Sequence, residues 1–501
     1  MRQLFPALFL ALSAWGGTPA ALEWNQWSAD VFARAKHEDR FILLDLEAVW
    51  CHWCHVMDAT TYRDPTAVEL LRSKYILVKV DQDSRPDLSS RYEDYGWPAT
   101  IVFDRDGHEI VKRAGYISPK EMVAMLRAII ADPAPGPSVV AEQPIEFASS
   151  PILPAEMREQ LASNYRLRYD SKNGSWGFQQ KFLDWDGVEY AMLLARQGDT
   201  QAENMALQTL TAQLNLIDPV WGGVYQYSTD GDWKHPHFEK IMQFQAENMR
   251  IYAMAWQQFH KPEYLQAAQA IRRFLQTFLT SPDGAFYTSQ NADLIDGQHS
   301  AAYFKLNDAA RRRQGVPRVD KHIYARENGW AITGLAALSQ AADDKTILAD
   351  AERAAHWVIE HRALDGGGFR HDEKDASGPY LGDTLAMTRA FLSLYAATHD
   401  RAWLERARHS LEFIEANFRN AAGAGYLTAR TATDAAYRPH PERDENVALA
   451  RAANAFWRAS GDEKFRKIAE EAVRYVVTPQ VARAYTAAPT LLADAEVTAA
   501  P

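Results

Sequence analysis

Between Tyr190 and Val477 one pattern recurs five times: a run with helical spacing, a short polar turn, and a second helical run. The copies read YAMLLARQGDTQAENMALQTL, YAMAWQQFHKPEYLQAAQAIRRFLQTFL, GLAALSQAADDKTILADAERAAHWVIEH, AFLSLYAATHDRAWLERARHSLEFIEANF and ARAANAFWRASGDEKFRKIAEEAVRYVV. Glycine-aromatic segments separate them, at Trp176 (WGF), Trp221 (WGG), Gly284 (GAFY), Gly366 (GGGF) and Gly423 (GAGY). Turns recur at roughly 60-residue intervals with one longer gap, the mark of stacked helical hairpins that bury their apolar faces against one another. The first helix of this region, Ala155 to Tyr165, and the chain end supply a partial sixth hairpin. Six hairpins closing on themselves make an (α/α)6 toroid with the glycine-rich loops at one mouth, expected over residues 155–490.

A chain of 501 residues exceeds what one hydrophobic core supports, so more than this toroid is expected. Segment 132–154, DPAPGPSVVAEQPIEFASSPILP, is proline-rich and aperiodic and reads as a linker. Residues 1–21 have an early arginine, an apolar stretch from Leu4 to about Trp15 and small residues at Pro19-Ala20-Ala21, the layout of a cleaved secretory signal. A periplasmic or secreted location follows, with no stable membrane span. The formal net charge of −11 and the lack of a long basic run exclude nucleic acid as a partner class.

Residues 22–131 read differently. Ser28 to Arg40 is helical, and FILLDLEA (Phe41 to Ala48) is a continuous apolar run of strand length. Then come CHWCHVM opening a helix, a helix capped by Asp64-Pro65, strand YILVKVD, helix PDLSSRYEDY, strand ATIVFD, a turn at Arg105 to Gly107, strand HEIVKRAGY and helix SPKEMVAMLRAII. The order is βαβαββα behind a leading helix, an α/β sheet ending in a hairpin. Both cysteines of the chain, Cys51 and Cys54, lie in CHWCH. In an exported chain cysteines normally staple distant segments, and this pair staples almost nothing. At a helix N-terminus Cys51 meets unpaired N–H groups and the positive end of the helix dipole, which favour thiolate, so Cys51 is expected to be the exposed nucleophile and Cys54 the resolving thiol. His52 and His55 either stabilise that thiolate or face solvent. CHWCH is also the c-type haem attachment pattern, with His55 on the iron, and a zinc site using His52 or His55 is a further alternative. Haem is disfavoured by the α/β context and zinc by the missing second ligand pair. No cofactor and no metal are expected.

At this point the chain resembles the thioredoxin superfamily: Trp50 immediately precedes the first cysteine, Asp45 stands six residues before it in LLDLEAVWC, and Pro98 lies in GWPATIVF before the third main strand. The resemblance implies that Asp45 is a buried proton acceptor and that Pro98 is the cis-proline shaping a substrate-peptide groove, with protein thiols and disulfides as partners. CHWCHVM followed by a toroid bearing HPHFEKIM is similar to the spermatogenesis-associated thioredoxin-like family, and the toroid half to six-hairpin glycosidases and N-acylglucosamine 2-epimerases. The implied class is thus α/β plus all-α: a thioredoxin-like fold followed by an (α/α)6 toroid of the six-hairpin glycosidase type.

Within the toroid, His235, His237 and Glu239 in DWKHPHFEK form an acid-base grouping of the kind epimerases and glycosidases need. Glu239 and Asp383 are a candidate carboxylate pair, with Trp176, Trp221 and Trp233 as sugar-stacking platforms. The simpler reading is that His237 and Glu239 tie a loop to a helix end and that the tryptophans are core. Family members read PKFP and DADSEG where this chain reads QKFL (Gln180 to Leu183) and NADLIDG (Asn291 to Gly297), which weakens carbohydrate chemistry built on those loops. The expected activity is thiol-disulfide exchange, with a carbohydrate or protein partner for the toroid; the alternative is a carbohydrate-binding or carbohydrate-modifying toroid carrying a structural thioredoxin-like appendage.

Overall fold

A computed structural model describes residues 21–140, 143–375, 377–430, 438–484 and 486–499. The expected leader lies, except for Ala21, outside the described residues. The first domain is a five-stranded sheet in the order β1-β3-β2-β4-β5: β1 (Trp24–Asn25), β2 (Phe41–Glu47), β3 (Tyr75–Asp81), β4 (Ala99–Phe103) and β5 (Glu109–Ala114). β1 and β2 run parallel to β3, while β4 is antiparallel to β2 and β5 to β4. The two-residue β1 is the one strand absent from the sequence reading; it is too short to carry a periodic signal. Central β2 is buried because both faces are covered, as its apolar run, broken only by Asp45 before Glu47, requires. Ile42, Leu44 and Leu46 pack with Val31 of α1 (Ala29–Glu38) and with Leu88 and Tyr92 of α4 (Pro86–Tyr92). Leu43 packs on the other side with Met57 of α2 (His52–Ala59), Leu71 of α3 (Pro65–Lys74) and Leu126 of α5 (Pro119–Ala131). The period-two alternation of a strand divides one apolar run between two cores.

Six inner helices form the toroid wall: Trp185–Arg196, Met242–Phe259, Ala325–Ala342, Leu381–Thr398, Arg443–Ser460 and Ala488–Thr498. Each packs on the next and the last returns to the first, closing the ring. Around them lie Thr200–Gln213, Pro262–Phe274, Lys345–Arg362, Arg401–Phe418 and Glu463–Val476, with Ala155–Leu167 behind the C-terminal inner helix as the expected split sixth hairpin. Small residues set the inner spacing. A Cβ at Gly329 would lie 2.6 Å from a backbone atom of Ala386, so neighbouring inner helices approach closely because nothing projects there.

The hairpin turns repeat their chemistry. His260, Asp343, His399 and Gly461 each close an inner helix in the left-handed conformation, donating the cap N–H back to a carbonyl of the last turn. Asp199, Asp344, Asp400 and Asp462 then cap the outer helices through their carboxylates. On the return, amide side chains of inner helices clamp the backbone of the glycine-aromatic loops: Gln245 holds Val224, Asn328 holds Phe286 and Asn446 holds Tyr426, each through both N–H and C=O. These outer-to-inner loops all lie at the N-terminal mouth of the inner ring. The proline-rich segment is docked rather than loose, with Phe147 against Tyr475 and the Ala148 N–H donating to Thr478 Oγ1. No helix among the described residues is long and apolar enough to cross a membrane.

Candidate functional site

The thioredoxin-like domain caps the toroid mouth that carries the return loops, and the cysteine motif lies in the junction. β2 ends at Glu47, the chain turns, and Cys51 becomes the N-cap of α2, its Sγ accepting from the Cys54 N–H at 3.1 Å. Cys51 and Cys54 form a disulfide. Asp45 is buried on β2 opposite Lys79 of β3. Burial raises its carboxyl to about 7 against the opposing charge of Lys79, 3.3 Å away. Lys79 also holds Glu47 and Asp58, at 2.8 and 2.6 Å. Pro98 follows a cis peptide bond from Trp97 and leads into β4.

One expectation needs correcting. Cys51 is not exposed: it is 4% accessible and Cys54 2%, packed with Ala48, Trp50 and the toroid residue Ile241, with Trp97 and Phe244 alongside. Trp97, the residue before Pro98, packs beside the disulfide with Ile241 and Phe244 of the toroid, next to where a substrate peptide is expected. An isolated thioredoxin-like domain would expose that apolar surface; here the burial of Ile241 and Phe244 against it covers the disulfide.

The two histidines do not face solvent either. His52 is 6% exposed, and its Nδ1 lies 2.8 and 2.9 Å from the two carboxylate oxygens of Asp293, on the return loop that follows Pro262–Phe274. His55 Nδ1 lies 3.3 Å from the same carboxylate and Nε2 3.2 Å from the Val49 carbonyl. Burial pushes Asp293 up, but hydrogen bonds from both histidines more than offset it and hold the carboxyl at about 2. Asp293 belongs to NADLIDG, and it is the aspartate that this string shares with DADSEG. That retained residue was the signal available in the sequence. The loop read as a loss for sugar chemistry is the latch between domains.

Glu239 is drawn to the same place. The His52 N–H, first of α2, donates to Glu239 Oε1 at 3.4 Å, while Oε2 is buried without a partner. Burial raises this carboxyl to about 7. His237 stacks on Tyr227 with ring centres 4.3 Å apart and is driven down to about 4 by burial, then by the charges of His299 and His52. His235 points outward to Asp232. The expected three-residue cluster is therefore split, and Glu239 serves the cysteine helix. Asp383 does not join Glu239: it accepts from His371 Nδ1 at 2.8 Å and from the Arg326 N–H at 2.9 Å, and His371 Nε2 donates to the Asp83 carbonyl at 2.6 Å.

The three proposed tryptophan platforms are core. Trp176 stacks on Tyr165, Trp221 donates to Asp308, and Trp233 donates to the Asn173 carbonyl. The toroid does hold a cavity of about 840 Å3, but Trp185, Trp330, Trp97 and Trp50 line it, together with Glu247, Arg250, Arg326 and Glu327. These aromatic residues occupy helix and motif positions that periodicity alone reads as core. Trp50 and Ile241 belong both to the cavity wall and to the packing around the disulfide. Trp50 is fixed there by its Nε1–H bond to Asp83 at 2.8 Å. The arrangement thus places an oxidised dithiol, two buried carboxyls near neutrality and two histidines behind one wall of an aromatic- and charge-lined chamber.

A family model described as a protein of unknown function, DUF255, and designated thioredoxin-like, matches residues 17–131. Spermatogenesis-associated protein 20 of Mus musculus is 25% identical over 414 residues, covering 75% of this chain and 49% of its own length, so the chain spans about half of that relative. Thioredoxin of Mycoplasmoides gallisepticum is 32% identical over 88 residues, 17% of this chain and 81% of its own. Among solved structures, a D-mannose isomerase aligns with a TM-score of 0.51 at 13% identity, over 69% of this chain and 97% of its own, a likeness of fold. The toroid is of the six-hairpin glycosidase and epimerase type. Taken together, these matches make the chain similar to the spermatogenesis-associated thioredoxin-like family, the family model itself covering the thioredoxin-like part.

Proposed function

We propose that this chain is an exported thiol-disulfide oxidoreductase acting on protein thiols or disulfides. A partner thiolate attacks the Cys51–Cys54 disulfide at Cys51, forming a mixed disulfide and releasing Cys54 as thiolate; the second partner thiol then attacks the mixed disulfide, leaving the partner oxidised and both cysteines reduced. The reverse sequence reduces a partner. Asp45 accepts or returns the proton at Cys54, and Pro98 shapes the seat of the partner peptide. The observation that carries this reading is the disulfide at the N-cap of α2 with Asp45 buried on the strand behind it. Because Ile241 and Phe244 cover the pair, exchange with a protein requires the mouth to part. The test is exchange with a dithiol peptide: Cys51→Ser abolishes turnover and Cys54→Ser accumulates a mixed disulfide at Cys51. Unchanged turnover in Cys51→Ser would sink the reading. The exported location rests on the leader, and N-terminal sequencing of protein from the periplasmic fraction tests it.

A second reading is favoured by the chamber. Its volume and its walls of Trp185 and Trp330 with paired Glu and Arg side chains suit a carbohydrate, and one fold neighbour is a D-mannose isomerase. Glycan screens with Trp185→Ala and Trp330→Ala, in place of the core residue Trp233, test it. Binding that survives both changes would remove the chamber as its site.

A further inference from the structure

Three carboxylates converge where the domains meet. Asp81 and Asp83 leave the end of β3, Asp320 comes from the toroid return loop, and one oxygen of each lies within 4.8 Å of the others. Asp83 accepts from Trp50 and Gln82, and Asp320 accepts from His322 Nδ1 at 2.6 Å. Asp81 Oδ1 and Asp320 Oδ2 are buried with no partner, and Asp320 is only 6% exposed. A second observation points the same way. Tyr324, 1% exposed and stacked between His322 and His371, has a hydroxyl with no partner. Burial, then the charges of Asp81, Asp320 and Asp83, raise that phenol far above its usual range.

The same domain contains an instructive comparison. Asp45, Glu47 and Asp58 form an acidic group within the same 4.8 Å limit, and there the Lys79 ammonium lies 2.6 to 3.3 Å from all three. Among the described residues no lysine or arginine lies within ion-pair distance of Asp81, Asp83 or Asp320; His322 is their one cationic neighbour at that range. Concentrating three carboxylates away from water is costly unless a cation compensates them. Oxygen ligands at about 2.4 Å from a common ion lie at most about 4.8 Å apart, and the three carboxylate oxygens fall within that limit of one another.

We propose that Asp81, Asp83 and Asp320, with the Tyr324 hydroxyl, bind one divalent oxygen-preferring cation, of the Ca2+ or Mn2+ class, that ties the thioredoxin-like domain to the toroid. An all-oxygen donor set with no cysteine and one histidine already engaged selects hard ions over zinc or copper. The experiment uses the full mature chain stripped with chelator and titrated calorimetrically with Ca2+, Mg2+ and Mn2+ in turn. One ion per chain binds, and Tm rises with ion concentration. Asp81→Asn and Asp320→Asn lose the binding yet melt higher than the parent in chelator, because mutual repulsion is relieved. Tyr324→Phe, which keeps the ring packing, binds several-fold more weakly. Failure of the parent to bind any of the three ions below about 1 mM, the weak end of protein calcium sites, overturns the proposal. Retention of full affinity in Asp81→Asn, Asp320→Asn and Tyr324→Phe overturns it equally.

Discussion

Replacing Asp293 with asparagine loosens the cover over the disulfide by a calculable amount. The carboxylate is 2% exposed and binds His52 and His55 together, so solvent screens it little. Its depression from 3.8 to about 2 corresponds to about 2 kcal/mol of preference for the latched state, at 1.36 kcal/mol per tenfold change in proton affinity. Because the folded value lies below the unfolded one, this contribution is present above pH about 4 and is lost as pH falls from there to about 2. His52 carries the opposite sign: burial lowers its proton affinity, the hydrogen bond and charge of Asp293 together with the charge of Glu239 raise it by more, and the net value is above 6.5. Its share is complete below 6.5 and fades as pH rises through the higher folded value. The latch is therefore tightest between roughly pH 4 and 6.5. If a protein reductant reaches Cys51 only through the parted mouth, Asp293→Asn accelerates its reduction of Cys51–Cys54 roughly 30- to 60-fold at pH 6, by the same conversion of free energy to population. The assay is stopped-flow reduction by a thioredoxin, with a small phosphine as comparison; the phosphine needs a smaller opening and gains less. Equal rates for parent and variant with the protein reductant would refute the idea that the toroid gates the dithiol.

Glu239 and the tryptophans supply two further expectations. Glu239 accepts from the first amide of α2, next to the Cys51 N-cap, so its ionised form places a negative charge near a Cys51 thiolate and disfavours the reduced pair; Glu239→Gln makes the couple more oxidising, by about 30 mV at pH 8, with the difference shrinking below pH 7 as the parent carboxyl takes up its proton. A pH-independent midpoint difference would contradict this. Trp176→Ala, which empties a buried stack on Tyr165, destabilises the protein by about 3 to 5 kcal/mol in denaturant unfolding, and leaves sugar binding by the remaining folded protein unchanged.

Much of this architecture is legible without coordinates because it is local. The strand-turn-helix around Cys51, the Asp64-Pro65 cap and the repeated hairpin turns are written in adjacent residues, and the split sixth hairpin follows from counting the copies. What is missed is made by docking. His52 and Asp293 are 241 positions apart, and no local pattern announces that a return loop will cover a helix N-terminus. The tryptophans illustrate a second limit. An inner helix of a closed ring shows one face to its outer partner and another to the chamber, and both are rich in apolar residues. Trp176, Trp221 and Trp233, chosen beside the glycine loops, fill the core, whereas Trp185 and Trp330, within inner helices, face the chamber. The exposed Cys51 expected from thioredoxin-like domains fails for the same reason: the toroid supplies Ile241 and Phe244 as a lid of its own.

The most direct measurement is a glutathione-buffered redox titration of the purified chain, read by thiol alkylation and mass. A single reversible two-electron transition is expected, with both thiols of CHWCH appearing together and the transition absent from Cys51→Ser and Cys54→Ser. Cysteines that remain disulfide-bonded or reduced across the whole glutathione range, or that titrate independently, would contradict a redox-active dithiol at the toroid mouth.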